Sequence, residues 1–210
     1  LYEPVFFFSP LWTEFIRPEN PGIIDWFSLL VGVLTVLTLA MHGGNWIILK
    51  IDSQFTHVVR RFNLKMTVLL VPLMVGSLFA VAYVNEGIHA RFIGDLRLAL
   101  IPLLGLTALL ANLLFLVRRN EVGAFVASSL FIAGMFVAAV VGMYPVVLPS
   151  TNTVHPSLTL FTTAAPAYSL HLGIRWWVLA MLLVAIYSGV IHWLHRGKIA
   201  SDEMTLTGYH

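Results

Sequence analysis

All 22 Asp, Glu, Lys and Arg residues of this 210-residue chain fall in the gaps between five charge-free stretches, at 26–49, 66–84, 98–117, 122–148 and 176–194. A charge held at mid-bilayer costs at least about 2.5 kcal/mol, and a helix needs roughly 20 residues to cross about 30 Å of hydrocarbon. The spacing of the charges and the length of the stretches both specify transmembrane helices. A membrane β-barrel would show segments of about ten residues with alternating polarity, and the stretches do not alternate. With 59% hydrophobic and 10% charged residues, against roughly 45–50% and about 25% in soluble domains, the chain is expected to be all-α, a polytopic bundle of five transmembrane helices.

Basic residues orient such a bundle. Lys50, Arg60, Arg61, Lys65, Arg118, Arg119, Arg196 and Lys198 fall on one side, and Arg17, Arg91, Arg97 and Arg175 on the other. The positive-inside rule then places the amino end outside and the carboxyl end in the cytoplasm. The expected organisation is an outer aromatic and Pro-rich segment over 1–25, a transmembrane domain over 26–198 with an outer loop at 149–175, and a cytoplasmic tail over 199–210. The absence of cysteine excludes disulfides, thiol catalysis and Cys-ligated metals. Leu1 to Ser9 has no initiating Met, basic region or small-residue cleavage site, so the chain is expected to begin partway through a longer one. The net charge of +2 is not gathered into a basic cluster with interleaved aromatics, which leaves no case for nucleic acid.

Histidine is the one titratable ligand type within the stretches. His42 and His192 both lie toward the cytoplasmic side, where a bis-histidine haem between the first and last helices is conceivable. The competing reading makes both interfacial hydrogen-bonders, since His42-Gly43-Gly44-Asn45-Trp46 and His192-Trp193-Leu194-His195 adjoin basic boundaries. Gly43 and Gly44 are expected at a close helix approach, with Asn45 bonding across it, and Gly134, Ala138 and Gly142, four apart, at a second. The short Arg118-Arg119-Asn120-Glu121 link makes the third and fourth helices antiparallel neighbours. Asp25 and Asp95 precede helices and suit capping better than proton relay. No carboxylate lies within a stretch, as a proton pump or cation transporter would be expected to have. Phosphate loops, nucleophilic triads and zinc spacings are absent.

The order of several unlike motifs is more specific. Phe8-Ser-Pro-Leu-Trp-Thr13, with Trp12, is followed by Pro21-Gly-Ile-Ile-Asp-Trp26, with Asp25 and Trp26, and by Met41-His-Gly-Gly-Asn-Trp46, with His42, Gly43 and Trp46. Then come Gly142-Met-Tyr-Pro-Val-Val-Leu-Pro-Ser150, with Gly142, Tyr144, Pro145, Pro149 and Ser150, and next Pro156-Ser-Leu-Thr-Leu160 and Ala164-Ala-Pro-Ala-Tyr-Ser-Leu170. This series, from about residue 6 to Lys198, resembles the carboxyl-terminal half of subunit II of the cytochrome bd family of quinol oxidases. It departs from the commonest pattern at Gly43-Gly44-Asn45-Trp46, where Gly-Ala-x-Tyr is more usual, and at Lys50-Ile-Asp-Ser.

The resemblance implies a four-helix bundle plus one peripheral helix, with no catalytic or metal-binding residue in this chain. It implies haems b and d and the quinol-oxidising site in a partner, subunit I, and a structural quinone or lipid at subunit II. A small single-helix subunit, membrane lipid and quinol, met through the complex, are the further expected partners, in a bacterial or archaeal cytoplasmic membrane. The expected function is that of an accessory subunit that stabilises the haem-bearing one. The alternative is a small b-type membrane cytochrome with His42 and His192 as haem ligands.

Overall fold

The computed structural model describes residues 15–16, 24–53, 55–148 and 157–200, with the backbone alone at the last two. Among these, five helices are long and apolar enough to cross a membrane, and the chain is an all-α, polytopic membrane protein. It divides into two compact units, 1–49 with 54–143, and 50–53 with 144–210.

The first unit contains α1 (Trp26–Lys50), α2 (Phe55–Val84), α3 (Glu86–Gly94), α4 (Leu96–Val117) and α5 (Glu121–Met143). Each long helix contributes to one core: Leu34 and Met41 from α1, Leu70 and Met74 from α2, Leu109 from α4 and Phe131 from α5. Ile48, Leu116 and Ala124 form a second cluster. Helices α4 and α5 make the closest pair, because a Cβ on Gly134 would stand 3.2 Å from the Cα of Gly105. Small residues permit this backbone approach, from which membrane helices gain dispersion contacts. The link between them is a tight turn: Arg119 adopts φ 58°, and the Oδ1 of Asn120 accepts from Gly123 N at 2.9 Å.

Charge-free length and helix length differ in informative places. α2 begins at Phe55, ahead of the stretch that opens at Met66, so Arg60, Arg61 and Lys65 stand on its first three turns. Its 30 residues span about 45 Å, more than the hydrocarbon requires. Pro72 and Pro102 lie inside α2 and α4. Such prolines are tolerated where neighbouring helices satisfy the freed backbone groups. α5 ends at Met143, before the cis Tyr144–Pro145 bond.

Helix α3, between the second and third spans, is a short element with its own signals. Asn85 caps it by accepting from Ile88 N at 3.1 Å; Glu86 is in its first turn and Arg91 in its last. These charges complement the helix dipole. Ile88 and Phe92 close over Gly142, where a Cβ would meet them at 3.1 and 3.2 Å.

The second unit contains β1 (Ile51–Asp52), β2 (Val146–Leu148), β3 (Leu158–Thr159), α6 (Leu160–Thr163), α7 (Ala167–Leu194) and β4 (Ile199–Ala200). Strands β2 and β3 pair antiparallel, Val146 opposite Thr159 and Leu148 opposite Leu158; β1 and β4 pair in parallel. Thr159 and Thr162 form a reciprocal capping box at the start of α6, and Thr163 Oγ1 donates to Thr159 O at 2.7 Å. These threonines serve the backbone. α7 starts before Arg175, which therefore stands on the helix.

Candidate functional site

The most distinctive chemistry of the first unit is a set of neutral polar side chains inside an apolar bundle. Asn45 on α1, Asn63 and Thr67 on α2, Asn112 on α4 and Ser128 on α5 are all at most 1% exposed. An amide or hydroxyl in a dry interior costs several kcal/mol unless bonded, so each must find a partner.

The carbonyl oxygen of Ala124 on α5 is the centre of the arrangement. It accepts from Asn112 Nδ2 at 2.8 Å and from Asn45 Nδ2 at 3.2 Å, which ties α4 and α1 to one backbone atom. Asn45 then turns its oxygen to α2, accepting from Asn63 Nδ2 at 2.6 Å. Thr67 Oγ1 lies 2.9 Å from Asn63 O and 3.4 Å from Asn112 Oδ1. One hydroxyl proton cannot serve both, and the shorter contact is the hydrogen bond. Four helices are thus joined through side-chain amides without a charge.

The Oδ1 of Asn63 is buried and has no hydrogen-bond partner among the described residues. It is directed at Gly44, where a Cβ would lie 2.8 Å away. A close helix approach is therefore made at Gly44. A Cβ on Gly43 would meet nothing within 4 Å, so Gly43, expected at that approach together with Gly44, stands clear of it.

His42 continues the polar set toward α5. Its Nδ1 lies 2.9 Å from Ser128 Oγ, and that hydroxyl donates to Phe125 O at 2.8 Å. When that hydroxyl gives its one proton to Phe125 O, Ser128 accepts from His42 and the ring proton sits on Nδ1; in the other tautomer Ser128 donates to Nδ1. Phe125 stacks on the imidazole at 4.9 Å between centroids and meets Trp46 at 5.3 Å. At the end of the bundle that carries the Arg118–Asn120 turn, Arg60 Nη2 and Glu121 Oε1 pair at 2.8 Å between α2 and α5.

The remaining sites are local. Asp25 caps α1, its Oδ1 accepting from Ser28 N at 2.6 Å while Ser28 Oγ accepts from Asp25 N at 3.0 Å; Asp95 Oδ1 caps α4 through Arg97 N at 2.8 Å. Trp26 packs near Tyr83 at 6.2 Å. In the second unit Pro145 O accepts from Leu160 N at 2.9 Å, and Tyr144 meets Phe161 edge-on at 6.4 Å. There His192 Nδ1 lies 2.8 Å from Ser188 O, one turn earlier on its own helix. His42 and His192 therefore occupy separate units, each in a hydrogen bond of its own. Trp12, Pro149 and Ser150 lie outside the described residues. Asn63, Thr67, Asn112 and the Arg60–Glu121 pair are additions that the structure makes to the sequence reading. An Asn inside an otherwise apolar stretch, as at Asn112, is the signal that points to such a site.

Comparison with known proteins gives this architecture relatives. Residues 5–195 match the family described as cytochrome bd terminal oxidase subunit II. The chain is 30% identical over 106 residues to cytochrome bd-I ubiquinol oxidase subunit 2 of Escherichia coli K12, a match covering 50% of this chain and 27% of that protein. It is 23% identical over 192 residues to a probable cytochrome oxidase subunit 2 of Haemophilus influenzae, covering 79% of this chain and 50% of the relative. The matched segments thus span between about a quarter and a half of these relatives' lengths.

Proposed function

Because the chain belongs to the cytochrome bd terminal oxidase subunit II family, we propose that it is an accessory membrane subunit of a quinol-oxidising, oxygen-reducing complex. In this reading it stabilises a haem-bearing subunit I and shapes proton, quinone or lipid access to it, while haems b and d, the quinol site and oxygen reduction belong to that partner. It binds no haem itself, although a quinone or lipid can be structural at its surface. A small single-helix subunit would complete the complex in the cytoplasmic membrane of a bacterium or archaeon, with the carboxyl end of this chain in the cytoplasm.

One observation carries the supporting role. The polar side chains that α1, α2, α4 and α5 bury are Asn, Thr and Ser, among which Asn63 bonds Asn45 and both Asn45 and Asn112 bond Ala124 O. Neutral amides in mutual hydrogen bonds fix helices against one another; they do not supply an acid or base whose charge alternates during a reaction. The outer segment adds a partner surface: Leu148, Leu158 and Phe161 are exposed in a run without charge from Val122 to Ile174. Exposed apolar groups in such a segment suit a protein interface.

The reading is tested by purifying the tagged chain from cells that carry its neighbouring subunits. A larger haem-bearing subunit should accompany it, and its Soret absorbance should persist in His42→Ala. Deletion of residues 149–166 should release that subunit or deplete its haem while all five spans still insert. A chain that purifies alone with a Soret band, lost in His42→Ala, would instead establish the b-type cytochrome.

A further inference from the structure

Helices α1 and α2 leave an open groove of about 430 Å³ on the flank of the first unit. From α1 it is lined by Gly43, Gly44 and Ile47, and from α2 by Phe55, Val58 and Phe62. The α2 residues recur at i, i+3 and i+7, one face of the helix. The groove is open at residue 43, where a Cβ would meet nothing within 4 Å. Phe55, Val58 and Phe62 are each more than half exposed, so the described residues leave these apolar walls uncovered.

Charge flanks this groove on one side. Arg61 follows Val58 by three residues and Lys65 follows it by seven, so the three share a helix edge, and both cations are exposed. Their depth is set by length: α2 has 30 residues, and about 20 suffice for hydrocarbon. The turns with Arg60, Arg61 and Lys65 therefore stand at the headgroup level, and the same turns form one wall of the groove. An apolar channel at headgroup depth, bordered by Arg61 and Lys65, for which no ion pair is found among the described residues, complements one kind of membrane molecule.

We propose that this groove binds one anionic glycerophospholipid, its acyl chain along Gly43, Ile47 and Phe62, its phosphate on Arg61. Lys65, one turn deeper, reaches the same phosphate by extending its aliphatic stem along the groove edge. Arg favours phosphate through its planar fork of donors. The proposal requires only that α1 and α2 span a membrane, so it stands or falls apart from the oxidase reading.

The test uses the chain purified in detergent with whatever subunits accompany it, depleted of lipid and titrated with phosphatidylglycerol or phosphatidylcholine under native mass spectrometry. One phosphatidylglycerol should bind with about tenfold preference, as two interfacial cations allow. Arg61→Gln with Lys65→Gln should reduce that preference to near parity. Gly43→Leu should fill the groove and lower occupancy of both lipids severalfold at an unchanged melting temperature. A photoactivatable phosphatidylglycerol should label 40–47 and 55–62 in the unaltered protein, a measurement that stands even if Gly43→Leu fails to fold. Equal binding of the two lipids by the unaltered protein, labelling confined to other segments, or a Gly43→Leu variant that keeps its lipid and loses an accompanying subunit would each overturn the proposal.

Discussion

The carboxamide of Asn63 occupies the space that a Cβ on residue 44 would require, its Oδ1 only 2.8 Å from that position. The glycine is what allows α2 to present an amide to Asn45 at 2.6 Å. The two adjacent glycines of α1 are therefore not equivalent.

Gly44→Ala should displace Asn63 and break its bond to Asn45, lowering stability by about 1–3 kcal/mol, the range for overpacking combined with a lost buried hydrogen bond. Gly43→Ala meets nothing within 4 Å and should leave the thermal transition within about 0.5 kcal/mol of the parent. Paired melting curves in one detergent check the contrast, and equal effects would contradict the geometry.

Asn45→Ala and Asn112→Ala each remove one donor from Ala124 O. Hydrogen bonds between membrane helices average about 0.6 kcal/mol with a maximum near 1.7, so losses of that order are expected. Because the two amides share an acceptor, their effects should not add. A double-mutant cycle with coupling below about 0.3 kcal/mol, the scatter of independent sites, would argue against a common acceptor.

The Arg60–Glu121 pair should respond unequally to its two truncations. The side chains are 17% and 20% exposed, and Arg60 Nη1 is buried with no hydrogen-bond partner among the described residues. Glu121→Gln leaves a guanidinium largely out of water and should cost about 3 kcal/mol, whereas removing Arg60 by Met should cost less, since its stem can still pack. Unfolding of the two variants under identical conditions compares them.

His42→Phe tests the far end of the polar set. It loses the bond to Ser128 but keeps the stack on Phe125, and should cost about 1 kcal/mol with no change in haem absorbance of the purified complex. Ser128→Ala should cost a similar amount, and the double variant little more than either single one. An absorbance change confined to the His42 variant would point to ligation.

Much of this was legible before any coordinates. The spans follow from where charge cannot go, and Asp25 and Asp95 cap their helices because an acid ahead of an apolar run has little else to do. The 118–121 link could only be a turn, and Gly134 does meet its neighbour. The start of α2 was hidden because a charge-free window measures hydrocarbon, whereas a helix continues into the headgroups with Arg60 and Arg61 on it. Helix α3 had its signals in Asn85, Glu86 and Arg91, but a nine-residue element is easily absorbed into a link. Asn63 and Asn112 escaped for another reason. Periodicity locates a polar residue on a helix face, but which carbonyl it reaches is fixed by partners far along the chain.

The shared acceptor at Ala124 has a consequence for length. Asn112 and Ala124 are twelve positions apart, and the turn at Arg118–Asn120 lies between them. An α-helix rotates about 100° per residue, so one residue inserted or deleted on either side of the turn would swing the carbonyl away from both amides at once. Substitutions in that interval can be numerous, but its residue count is constrained, and homologues that retain the two asparagines should differ in spelling there far more readily than in length.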